Sequence, residues 1–181
     1  ESSSLDRVLF VPVAHSPLRP RSPIADAKAR VEMLQLAIAD HPGFAISTIE
    51  LERGEISYTV DTLRALKQGA PNDTFFLQMG LDSLLDFPRW HQPQEILSLA
   101  RLLVVNRPST SGPTAAEAWQ VLRGFATDEQ IDAIRSTIVD SQQFEFSSTD
   151  IRQRVSSGRS VRFRTPRAVE KYIETQGLYR G

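Results

Sequence analysis

The chain of 181 residues contains no cysteine. That excludes disulfides, thiolate metal sites and cysteine nucleophiles. Histidine is nearly as scarce: His15, His41 and His91 stand far apart, and no two have the spacing of a zinc-binding pair. No apolar run is long enough to cross a bilayer, and Glu1–Asp6 does not read as a signal peptide. Charge of one sign is missing as well. Lys and Arg number 21 against 22 Asp and Glu, a formal net charge of −1, so a general polyanion binder is not expected and any phosphate site must be local. Neither nucleic acid nor a membrane is an expected partner, and the location that fits these absences is the cytoplasm. No internal repeat and no low-complexity segment occur. The oligomeric state has no signature in the sequence.

What is present suits one α/β domain over residues 1–181, with enough apolar residues (40%) for a real core. Arg7–Val13 is a short apolar run ending near prolines, the pattern of a strand buried on both faces. The loop His15–Pro23 carries Arg19 and Arg21. Ile24–Asp40 reads as a helix with Ala27, Val31, Leu34 and Ile38 on its inner stripe and Arg30 and Glu32 off it, stopped by His41-Pro42-Gly43. Phe44–Ile49 predicts a strand, Leu51–Ile56 a polar turn, and Thr59 to Gln68 a helix. Thr74–Met79 and Arg101–Val105 predict central strands, Gly80–Pro88 a loop with one helical turn, and Pro93–Ala100 a short helix. Ala115–Phe125 and Asp128–Thr137 predict helices. Gln143–Phe146 predicts the last strand, Ser148–Val155 the helix after it, and Pro166–Gln176 a closing helix. Strands alternating with helices at this spacing predict a Rossmann-like open parallel sheet with helices on both faces.

Ligands of such sheets bind beyond the carboxyl ends of the strands. The loops there hold Arg19 and Arg21, then Gly80 and Asp82, then Arg107, then Ser148, Thr149 and Arg152. In the last of them, Phe144–Arg152, a strand turns straight into a helix. Ser147 and Ser148 suit an N-cap, Asp150 falls in the first turn, and Arg152 adds a bidentate cation. A helix start of this kind accepts phosphate. It is equally an ordinary capped helix with a solvated arginine.

Taken together, Val8–Pro12 (VLFVP), Glu50–Leu63 (ELERGEISYTVDTL), Phe76–Leu84 (FLQMGLDSL), Phe87–His91 (FPRWH), Leu102–Pro108 (LLVVNRP), Phe146–Arg152 (FSSTDIR) and the tail Pro166, Val169, Tyr172, Ile173, Leu178 and Tyr179 make the sequence similar to the nicotinate-nucleotide adenylyltransferases. These belong to the α/β nucleotidyltransferase superfamily, and the resemblance runs over nearly the whole chain. It implies transfer of AMP from ATP to nicotinic acid mononucleotide with Mg²⁺ assisting, the products being the dinucleotide precursor of NAD and pyrophosphate. Alternatives are a nucleotide-binding relative without turnover and a nucleotidyltransferase with another phosphorylated acceptor.

The resemblance implies a role for each matching position. Ser148, Thr149 and Arg152 would lie at the ATP phosphates, Gly80 and Asp82 at the adenosine and its ribose, and Phe146 would also be ATP-binding. Arg107 would reach the nucleotide, unless it is solvated before its proline. Asp82 is as natural a helix N-cap. Tyr58 and Thr59 would offer backbone N–H groups to the nicotinate carboxylate, unless Ser57 or Thr59 caps the helix. Trp90 would stack on the pyridine ring, or pack in the core beside Phe87, and His91 would orient the loop. Where the family ends its first loop in a Pro-His-Lys-like sequence, this chain has Ser16-Pro17-Leu18-Arg19, so Arg19 keeps the positive charge for the substrate.

The family's G-x-F-x-P-x-H-x-x-H loop has no counterpart in this sequence, and no catalytic residue or protein-held metal is assigned. The chain begins at what resembles the family's second strand. The expectation is that a βα unit of roughly 30 residues precedes it in the natural protein. The alternatives are a shortened relative or a front half supplied by another polypeptide.

Overall fold

Residues 5–17, 23–106, 115–140 and 147–180 are described by a computed structural model. In chain order they form β1 (Val8–Phe10), α1 (Ala27–Ile38), β2 (Phe44–Ile46), α2 (Ile49–Arg53), α3 (Thr59–Gly69), β3 (Phe76–Gly80) and α4 (Leu81–Asp86). A 3₁₀ turn (Phe87–Arg89) follows, then α5 (Pro93–Leu99), β4 (Arg101–Asn106), α6 (Ala115–Arg123), α7 (Asp128–Ser136), β5 (Val139–Asp140), α8 (Ser148–Ser156) and α9 (Arg167–Thr175). Every described strand pairing is parallel, as the α/β reading requires. The pairings fall in two ladders, β1–β2 and β3–β4–β5. The chain likewise divides into two compact units. Described residues 58–140 make a continuous unit, and 5–57 with 147–180 make a split one.

In the continuous unit β4 is the middle strand, with Phe76 opposite Arg101 and Val105 opposite Val139. Leu102, Leu103 and Val104 are all buried, so both faces of the strand are covered and its apolar run has no alternation. Leu84, Phe87, Ile96 and Val60 pack into the same core with almost no exposure. Local chemistry sets the helix ends. Pro93 occupies the first turn of α5, and Thr127 and Gln130 form a reciprocal capping box at α7.

The split unit has a smaller core of Ala14, Ala25, Ala29, Val161, Val169 and Ile173, with Glu50, Ser57 and Glu170 also buried. Asp26 caps α1 by accepting from the Ala29 N–H at 2.7 Å. The Tyr172 hydroxyl of α9 donates to Glu32 of α1. That bond, with desolvation and the Glu32 charge, pushes the phenol pKa up to about 12.

Several expectations need correction. Ala27 is exposed and Ala29 buried, because Arg30 and Glu32 are half-buried and tied to Val13 and Tyr172, which turns the stripe of α1. The polar turn at 51–56 begins as helix α2, which Gly54 ends at φ 70° by returning its N–H to the Glu50 carbonyl. The loop at 80–88 is largely helical, since Leu81 and Leu84 are buried one turn apart. Pro166 stands just outside α9 as its N-cap. The two-residue strand β5 was not expected, and the expected strand at 143–146 lies outside the described residues.

Candidate functional site

In the continuous unit the chain enters α3 through Tyr58, whose backbone is extended and whose carbonyl accepts from the Asp61 N–H at 3.1 Å and the Thr62 N–H at 3.3 Å. Among the described residues no side chain caps this helix, so its first N–H groups keep their affinity for an anion. Ser57, the expected capping candidate, is turned to another task. It is buried in the split unit, its Oγ accepts from the Ala14 N–H at 3.1 Å, and its own N–H donates to the His15 carbonyl at 2.8 Å. The Tyr58 ring packs on His91 with centroids 4.4 Å apart.

Trp90, next to His91, ends the 3₁₀ turn. Its ring lies 5.5 Å from that of fully buried Phe87, and its indole N–H is buried without a hydrogen-bond partner among the described residues. Trp90 leans on the core through Phe87, as its core reading has it, and is itself only half-buried. Tyr58 and His91 thus meet at the start of α3, with Trp90 the chain neighbour of His91.

At the carboxyl end of β3, Gly80 is the N-cap of α4, and Asp82 is the second helical residue rather than the cap. A Cβ on Gly80 would lie 2.4 Å from the Asp82 Oδ1. Glycine at this position therefore lets an exposed carboxylate fold back over the end of the strand. On the outer side of the same unit, Arg64 of α3 donates to Glu95 of α5 through Nε at 2.7 Å and to Asp61 through Nη1 at 2.7 Å.

In the split unit Ser147 caps α8, its Oγ accepting from the Asp150 N–H at 3.0 Å, which leaves Ser148 and Thr149 exposed in the first turn. Arg152 is half-buried, and its Nη2 lies 3.4 Å from the Thr149 Oγ1. The Asp150 carboxylate pairs with the Arg164 Nη1 at 2.8 Å. Burial pushes the Tyr179 phenol above its usual range, while the charges of Arg152 and Arg30 pull the other way. Arg30 holds the loop after β1 by donating from Nη1 to the Val13 carbonyl at 2.7 Å.

Of the sequence-derived candidates, the structure brings Tyr58 close to His91, the neighbour of Trp90, sets Gly80 against Asp82, and gathers Ser148, Thr149 and Arg152 on the first turns of α8. Arg19, Arg107 and Phe146 lie outside the described residues. Among the described residues no three His, Asp or Glu side chains gather as a metal cage. No described helix is long and apolar enough to cross a membrane. Arg30 went unremarked in the sequence as a holder of the β1 loop, because only its position off the expected stripe was visible there.

Comparison with known proteins bears on the same residues. The family model described as cytidylyltransferase-like matches residues 2–154. A protein of Rhodopirellula baltica, named a probable nicotinate-nucleotide adenylyltransferase, is 36% identical over 180 residues, covering 99% of this chain and 82% of the relative. One of Roseiflexus castenholzii with the same name is 41% identical over 176 residues, covering 97% of this chain and 84% of the relative. Among solved structures, nicotinic acid mononucleotide adenylyltransferase of Plasmodium falciparum complexed with NaAD superposes with a TM-score of 0.67 at 16% identity. That match covers 97% of this chain and 83% of the other, and is a likeness of fold.

Proposed function

Because this chain belongs to the nicotinate-nucleotide adenylyltransferases, nucleotidyltransferases within the cytidylyltransferase-like family, we propose that it transfers the AMP of ATP to nicotinic acid mononucleotide in NAD biosynthesis. The 5′-phosphate oxygen of the mononucleotide attacks the α-phosphorus of ATP, the α–β bridging P–O bond breaks, and pyrophosphate leaves. Such transfer asks little covalent chemistry of the protein. It asks for alignment of two phosphorylated substrates and fixed donors for the developing charge.

The observation that carries this reading is the start of α3 at Tyr58, without a described side-chain cap and with the His91 ring packed on Tyr58. A helix start without a side-chain cap attracts a carboxylate and offers it only N–H donors. A nicotinamide would turn its own donor toward those donors, so the acid is the preferred form. Trp90 would carry the pyridine ring. Asp82 would accept from ribose hydroxyls over Gly80. Ser148, Thr149 and Arg152 would donate to the ATP phosphates, with Arg19 and Arg107 adding positive charge. Mg²⁺ fits as the ATP complex, held by phosphate oxygens and water, since it is commonly bound through few protein ligands. It would neutralise phosphate charge there.

A second reading is binding without turnover, since the residues that would align the two nucleotides would equally serve to hold them. Pyrophosphate release decides between the two. The chain is incubated with nicotinic acid mononucleotide, ATP and Mg²⁺. Release that depends on the mononucleotide is expected. Binding of both nucleotides with no release would favour the second reading, and binding of neither would overturn both.

A further inference from the structure

We propose that Arg164 is a positioning residue for ATP, cancelling the charge of Asp150 at the start of α8 so that a polyphosphate can approach Ser148, Thr149 and Arg152. The inference rests on the reading of α8 as the phosphate-binding element. Asp150 is the third residue of that helix, one place after Thr149 and two before Arg152. A carboxylate there is favoured by the helix dipole but repels any anion drawn to the same turn. Arg164 answers it from 14 residues further on, with Nη1 2.8 Å from the Asp150 Oδ2. The two side chains are 29% and 37% exposed, so their charges are only partly screened by water.

The loop that delivers Arg164 is fixed for that purpose. Val161 is buried, and the Arg164 N–H returns to the Val161 carbonyl at 3.0 Å. The Ser160 carbonyl accepts from the Arg154 Nε at 2.8 Å, which straps the loop to α8. Between them Phe163 sits at φ 63°, a left-handed conformation that is costly for a bulky residue. Its ring is 85% exposed, so the turn is not shaped to bury it. What the strained turn achieves is the placement of the next side chain, Arg164, on Asp150.

A charge cycle tests this. Wild type, Arg164→Met, Asp150→Asn and the double variant are titrated calorimetrically with a non-hydrolysable ATP analogue, with inorganic tripolyphosphate and with adenosine. Far-ultraviolet circular dichroism checks that each is folded. Methionine keeps the aliphatic stem, so lost packing is not the variable. Arg164→Met is expected to weaken both phosphate ligands about five- to tenfold, the scale of one partly screened unit charge nearby. Asp150→Asn is expected to match or exceed the wild-type affinity. The double variant is expected to return to within about twofold of wild type, because the charge balance is restored although the ion pair is gone. Adenosine affinity should not change, and the differences should shrink in high salt. A double variant as weak as Arg164→Met would overturn the proposal in favour of a merely structural pair, as would an unaffected Arg164→Met. Should wild type bind adenosine but neither phosphate ligand, the phosphate reading of α8 fails, and this role for Arg164 fails with it.

Discussion

Trp90 combines two properties that rarely coincide: a ring resting on the core through Phe87 and a buried indole N–H with no partner among the described residues. A buried donor left unpaired costs about 1–3 kcal/mol, a penalty in the folded chain that Trp90→Phe removes. Trp90→Ala is expected to weaken nicotinic acid mononucleotide about 10- to 100-fold, from the roughly 1–3 kcal/mol that a stacked ring contributes. Trp90→Phe should keep most of the stacking and lose only the donor. Titration of both variants separates the two contributions, and equal losses in the two would remove stacking from the explanation. At Gly80 the expected effect is steric. Gly80→Ala would put a Cβ where the Asp82 carboxylate lies, so adenosine affinity should fall while the core, which Gly80 does not fill, keeps its melting temperature. Tyr172 gives a pH signature. Its pKa is raised from 10.0 to about 12 by Glu32, so the neutral phenol is favoured in the folded chain. Its contribution to stability is fully present below pH 10, where the unfolded phenol is also protonated. That contribution is lost as pH rises through the 10-to-12 window, where only the unfolded form releases its proton. Tyr172→Phe should therefore show a shallower fall in urea midpoint across that window than wild type, and an identical slope would disprove the assignment.

At the scale of elements, Ser57 is a joint within the split unit, holding the loop after β1. It accepts from Ala14 and donates to His15, and a parallel bridge pairs His15 with Ile56. Ser57→Ala strands the Ala14 N–H of a buried residue, and about 1–3 kcal/mol of stability should be lost in chemical denaturation. A change below about 0.5 kcal/mol would mean that water replaces the hydroxyl without penalty. This joint was not legible in the sequence, where a serine before a helix reads as a cap. The long-range donor that outcompeted capping, the Ala14 N–H, lies 43 residues away. Elements with strong local signals were legible. The apolar run of β4, the proline-started α5, the capped α7 and the Ser147 cap of α8 all follow from neighbouring residues. The misread elements are those whose pattern is set by partners elsewhere. The inner stripe of α1 turns because Arg30 and Glu32 are held by Val13 and Tyr172, and β5 exists only as an addition to the end of β4. The motif residues of the site were legible through their resemblance to a family. Their supports were less so: the Tyr58–His91 ring contact and the Asp150–Arg164 pair both join segments too far apart in sequence for any local pattern to reveal.

On the scale of the whole chain, the two units are built differently. The continuous unit packs large aliphatic and aromatic side chains such as Leu84, Phe87 and Ile96. The split unit buries mainly alanine and valine, with polar Ser57, Glu50 and Glu170 among them. The elements proposed to grip the pyridine nucleotide therefore stand on a dense core, and those proposed to grip phosphate are held chiefly by hydrogen bonds and ion pairs. Phosphate affinity should accordingly depend on salt and on charge substitution, and pyridine affinity on the volume of a few core residues. The central claim is that the uncapped start of α3 recognises a pyridine carboxylate. Its most direct test is calorimetric titration of this chain with nicotinic acid mononucleotide and, separately, with nicotinamide mononucleotide, which differ only in that group. Binding of the acid at least tenfold tighter than the amide, with the preference lost alongside the stacking in Trp90→Ala, is the predicted result. Equal affinity for the two nucleotides, or tighter binding of the amide, would contradict it.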